Sequence, residues 1–84
     1  MAPQAPDWLV RKIFALYKAG GVTSREDRLA LTEWIIWRPV TSFDELSYID
    51  LKAVLDTIEY WQRRGDLACR CAEILSDRSQ PEPQ

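Results

Sequence analysis

Histidine is missing from this chain altogether, and with it the commonest general base near neutral pH and the commonest metal ligand. A Ser-His-Asp relay is excluded outright. Cysteine is nearly as scarce. Cys69 and Cys71 stand two residues apart, and on a helix they point about 160° away from each other, so neither a mutual disulfide nor a shared metal fits. They read as one small core residue and one surface thiol. Apolar runs such as Trp34-Ile35-Ile36-Trp37 fall far short of the roughly 20 residues of a membrane span. Met1 to Asp7 lack the basic and long apolar stretches of a secretory signal, so no membrane association is expected. A dominant charge is absent too: eleven Lys and Arg against thirteen Asp and Glu leave −2, with no global bias toward nucleic acid.

What remains is 84 residues, enough for one domain with one modest core and without room for a deep substrate cleft beside it. Pro3 and Pro6 keep the first six residues extended, as an N-terminal arm over 1–6. Asp7 is placed to cap a first helix from Trp8 to Ala19, which Gly20-Gly21 ends. Thr23-Ser24-Arg25-Glu26 reads as a capping box with Thr23 as cap, opening a second helix over about Ser24 to Trp37. Arg38-Pro39 stops it. Ser42-Phe43-Asp44-Glu45 reads as a second capping box on a single turn. Ser47-Tyr48-Ile49-Asp50 opens the longest periodic segment, Tyr48 to Arg64, and Gly65 closes it. Asp66 can cap a short last helix, Leu67 to about Leu75. The polar stretch 76–84, with Pro81 and Pro83, is expected to be a disordered tail. No segment alternates with period two, so the predicted fold is all-α: a compact bundle of three main helices plus a short fourth, spanning 7–75.

Advancing about 100° per residue sorts the faces. Leu51, Val54, Leu55, Ile58 and Trp61 form a core arc on the third helix, and Glu59 and Arg63 are spaced for an ion pair. Between charged flanks lies a second stripe, Ile49, Ala53 and Tyr60, which that core leaves unexplained. The second helix carries Ala30, Leu31, Trp34, Ile35 and Trp37 on one side, with Leu29 and Ile36 almost opposite. An apolar girdle of that kind is either covered by the turn around Phe43 and the last helix or kept for a partner. Trp34, Trp37 and Trp61 fall on core arcs and are expected inside; Trp8 is expected half exposed, and Tyr60 is expected to face outward.

The carboxylates Asp44, Glu45 and Asp50 sit at helix starts, where capping accounts for them. Asp56 and Glu59 share a face, but Lys52 and Arg63 beside them mark an ordinary solvated surface rather than a cation site. No catalytic residue, metal, cofactor or small-molecule substrate is predicted, and the chain reads as a non-enzyme. By segment the charge falls from +2 over 1–22, through zero over 23–40, to −2 over 41–64 and −2 over 65–84. The third helix, the natural recognition helix, is acidic outside, which phosphate repels.

Thr23-Ser24-Arg25-Glu26-Asp27-Arg28-Leu29, Arg38-Pro39-Val40-Thr41-Ser42, Leu46-Ser47 and the stretch from Leu51 to Ile58 together form a pattern. It is an Asp/Glu-Arg-Leu helix, an Arg-Pro-Val-x-Ser link and a Leu-Ser/Thr-x-x-Asp/Glu cap opening a last helix. The pattern, over about residues 9–62, resembles a helical segment of actinobacteriophage accessory proteins, some of them associated with phage DNA metabolism. The resemblance implies an all-helical phage accessory protein in the cytoplasm of a bacterial host; it transfers no catalytic or binding residue. The acidic third helix and the pair Trp34 and Trp37 depart from that pattern. The reading that follows is a protein–protein interaction module, with Leu29, Ile36, Ile49, Ala53 and Tyr60 meeting a protein partner or a second copy in a homodimer. The alternative is nucleic-acid association through Arg11, Lys12, Lys18, Arg25 and Arg28.

Overall fold

Ser47 and Asp50 cap one another: the Ser47 hydroxyl accepts the Asp50 amide and the Asp50 carboxylate accepts the Ser47 amide, both at 3.2 Å. This box starts the longest helix at the predicted residue, and Gly65, left-handed at φ 78, ends it there as well. The computed structural model describes residues 6–79, which form α1 (Asp7–Ala19), α2 (Arg25–Ile36), a 3-10 turn (Phe43–Glu45), α3 (Tyr48–Arg64) and α4 (Leu67–Ser79). No strand occurs among the described residues, and the fold is the all-α bundle that the periodicity predicts.

Several boundaries differ from expectation, each for a local reason. Pro6, extended at ψ 143, occupies the cap position of α1 without a side-chain bond, so Asp7 is the first helical residue, where its charge suits the helix dipole. Ser24, not Thr23, caps α2, its hydroxyl accepting the Asp27 amide at 3.1 Å; the Thr23 carbonyl is instead taken by Arg28. Ser42 accepts the Asp44 amide, while Glu45 turns back to the Thr41 amide and hydroxyl rather than to Ser42. The last helix does not stop near Leu75: α4 continues to Ser79, so 76–79 are helical rather than tail. Residues 1–5 of the expected arm (1–6) and the remainder of the tail (80–84) lie outside the described residues.

α3 is the central element and packs against α1, α2 and α4; α2 also lies on α4. Its predicted core arc is buried throughout, Leu51 to Trp61, against Leu9 and Ile13 of α1, Leu31 of α2 and Leu67 and Ile74 of α4. One hydrogen-bond chain crosses this apolar interior. The buried Thr32 hydroxyl donates to the Arg28 carbonyl at 2.8 Å, so Tyr17 must donate its own proton to Thr32 Oγ1, 3.0 Å away. Burial holds the Tyr17 phenol far above its ordinary pKa. Gly20 is a close-approach glycine: a Cβ there would meet Leu67 Cγ at 2.9 Å, so the turn after α1 seats directly on α4.

The 37–47 connection is tied at every step. Glu33 accepts the Val40 amide, Arg25 donates to the Thr41 carbonyl at 2.7 Å, and the Arg38 fork grips Asp50 through both carboxylate oxygens, at 3.1 and 2.5 Å. Arg38 thereby joins the end of α2 to the cap of α3. The pair holds the Asp50 carboxyl below its usual range. The molecule measures 19 Å in its thinnest direction, about two helix diameters, so every helix keeps a face toward water.

Candidate interaction surface

At 100° per residue Ile49, Ala53 and Tyr60 fall within about 40° of one another, on the side of α3 opposite its core arc. All three are exposed, Ile49 by 78% and Tyr60 by 51%. Polar groups frame the stripe. Lys52 and Asp56 form an ion pair of 3.0 Å one turn apart, and Arg64 lies against the Tyr60 ring, 5.7 Å from its centroid, while pairing with Asp66 at 3.1 Å. Glu59, expected to pair with Arg63 on its own helix, instead reaches Lys12 across the α1–α3 seam at 3.0 Å.

The α2 half of the predicted surface is not available. Leu29 is buried in the core, and Ile36 is half-buried and packed against it. The contact of α2 with both α3 and α4 closes that side, and the edge-on pair of Phe43 with Phe14, 4.9 Å apart, belongs to the same interior. A partner can therefore meet Ile49, Ala53 and Tyr60, but not Leu29.

Two tryptophans placed inside by their helical angle stand outside. Trp37 is 87% exposed and Trp34 is 42% exposed; only Trp61 of the three is buried. Trp34 still tilts against Trp61 at 6.2 Å, with Arg70 over the Trp61 ring at 5.5 Å. Trp37 has left the helix: at φ 62, ψ 38 it is the left-handed residue that terminates α2, so helical rotation no longer says where it points. Pro39 two residues on was the readable signal for such a terminus. Trp8 and Tyr60 are exposed as expected, and Tyr48 is an exposed aromatic that the helical reading did not single out.

The basic set is dispersed and largely occupied. Lys12 pairs with Glu59 and Arg25 binds the Thr41 carbonyl. Arg28 binds the Thr23 carbonyl and stacks 4.4 Å from the Phe14 ring, with its Nε buried and unpartnered. Arg11 and Lys18 remain as exposed cations. The hollow beside Lys18, about 400 Å³ and lined by Phe14, Val22 and Arg28 among others, is open and shallow. Among the described residues no cluster of His, Cys, Asp or Glu has the makings of a metal site. Burial pushes the Cys71 thiol up to about 11, and the Glu73 carboxylate raises that of exposed Cys69, so neither is an activated nucleophile. No helix among the described residues is long and apolar enough to cross a membrane. Comparison with known protein families, curated proteins and solved structures finds no match.

Proposed function

We propose that this chain is a non-enzymatic accessory protein of bacteriophage type that works stoichiometrically, as a small helical interaction module presenting the outer face of α3 to a protein. One observation carries the reading: α3 has two apolar faces, and its own chain covers only one of them. Apolar side chains scattered singly on a surface need no explanation, but three within a narrow arc, framed by a fixed ion pair and an arginine, form a small patch with a polar rim. The phage assignment rests on the Arg38-Pro39-Val40-Thr41-Ser42 link and the Leu46-Ser47 cap. The competing nucleic-acid reading has two exposed cations of its set to work with, Arg11 and Lys18, set against the carboxylates Asp50, Asp56 and Glu59 of α3.

The test is solution mass by light scattering, at low and moderate salt, with and without a generic DNA duplex. The module reading expects a mass indifferent to duplex at both salts. A low-salt shift onto duplex, lost on Arg11→Ala/Lys18→Ala and kept on Ile49→Ser, would overturn it, because phosphate contacts release counterions and weaken steeply with salt.

A further inference from the structure

We infer that the occupant of the α3 stripe is a second copy of this chain, seated antiparallel about a two-fold axis between Ala53 and Asp56; this rests on the module reading and names its partner. The spacing Ile49, Ala53, Asp56, Tyr60 runs four, three, four, which is the seam that one helix presents to another in a two-helix contact. Turned end for end, the stripe matches itself. Ile49 of one copy lies opposite Tyr60 of the other, and Ala53 lies opposite Asp56, where the small alanine allows close approach.

The charges decide the orientation. Lys52 and Asp56, now paired within one helix at 3.0 Å, stand on either side of that axis. In the antiparallel arrangement each Lys52 also reaches the Asp56 of the other copy, making an alternating ring of four charges. A parallel arrangement sets Asp56 on Asp56 in the seam and parts the two Lys52 to opposite flanks, where neither reaches the Asp56 of the other copy, so the surface selects against it. An isologous contact of this kind needs nothing but its own face to be complete. α3 spans 17 residues, about 25 Å, and one helix face of that length falls below the ~1,200 Å² of a standard interface. The dimer is accordingly expected to be weak, with a dissociation constant of about 10–100 µM.

The experiment is sedimentation equilibrium of the full chain from about 1 µM to about 1 mM at low ionic strength. Wild type is expected to pass from monomer to dimer across that range. Lys52→Glu alone and Asp56→Lys alone are each expected to weaken association about tenfold or more, through like charges across the axis. An equimolar mixture of the two variants is expected to regain it, since every cross-copy pair is then opposite in sign. Both positions are exposed, so unfolding curves serve as the check that the fold is intact. For orientation, in a Cys69→Ser background, Ile49→Cys mixed with Tyr60→Cys should cross-link under mild oxidation, while neither should cross-link with itself. A wild type that stays monomeric throughout overturns the second copy and leaves the module reading to be judged by the duplex titration. Association that the single charge variants leave unchanged, or that their mixture does not restore, overturns the antiparallel contact.

Discussion

The outer face of α3 and the end of α2 both leave large apolar side chains in water, and they do so in different ways. The α3 stripe sits on relaxed helix, between a capping box and a glycine terminus, with its opposite face buried. At the end of α2 the exposed residue is an indole in the left-handed conformation, where a side chain costs about 1–2 kcal/mol that glycine avoids. A smooth face on rigid helix suits a second helix; a single projecting ring on a strained turn does not present a face at all. Exposure alone therefore does not rank surfaces. The backbone beneath each one does.

The sharpest way to break this contrast uses one residue type on both faces of α3. Ile58→Ala opens the core and is expected to cost about 2–5 kcal/mol by denaturant unfolding. Ile49→Ala, measured at dilutions where the chain is monomeric, is expected to stay within about 0.5 kcal/mol of wild type. Comparable losses from both would mean that Ile49 is covered within the chain, and the interaction surface would be gone.

Next comes the way α2 is held. Its inner side depends on the Tyr17–Thr32 contact as well as on apolar packing, whereas the buried face of α3 is apolar throughout. Thr32→Val strands the buried Tyr17 hydroxyl and is expected to cost about 1–3 kcal/mol. Tyr17→Phe leaves Thr32 still donating to the Arg28 carbonyl, so its cost should be the smaller, about 1 kcal/mol or less. Equal costs would show that Thr32 has no partner of consequence in Tyr17.

The two helix ends give the third test, with opposite signs. Gly65 and Trp37 hold the same left-handed region, at φ 78 and φ 62. Gly65→Ala is expected to lose about 1 kcal/mol and Trp37→Gly to gain about as much, read as shifts in the unfolding midpoint. A destabilised Trp37→Gly would mean that the indole contributes packing its exposure hides.

These same residues explain what the sequence made legible. α3 could be read to the residue because Ser47, Asp50 and Gly65 act within their own turn, and the Ile49, Ala53, Tyr60 stripe followed from angle alone. Helical angle failed where the helix had ended, at Trp37, and where coverage came from elsewhere, at Leu29 beneath its neighbours. The cap of α2 was misplaced by one because Thr23 and Ser24 are equivalent as side chains; Arg28, five residues on, draws the Thr23 carbonyl. Nor does any local rule announce that Lys12 will take Glu59 from Arg63. Local capping is written in adjacent residues, while seam pairings depend on which helices meet.

The smallest expected effect lies where the two regions join, at Arg38 and Asp50. The Arg38 fork and the Ser47 bonds lower the carboxyl's pKa in the folded chain, so the folded state holds on to the ionised form. In the unfolded chain Asp50 takes its proton near an ordinary pKa of about 3.9. Above that value the pair contributes its full stability. As pH falls below it, the unfolded state gains a proton that the folded state still refuses, and the contribution drains away through the lowered folded pKa. Asp50→Asn removes this titration. The two unfolding midpoints should therefore differ at pH 7 and draw together as pH falls through 4 and below. A gap that stays constant with pH would mean that neither the Arg38 fork nor the Ser47 bonds favour the ionised form, and that the effect of Asp50 is one of side-chain shape. The end of α2 would then owe its position to the Glu33, Arg25 and Glu45 contacts around it, and Trp37 would be anchored independently of α3.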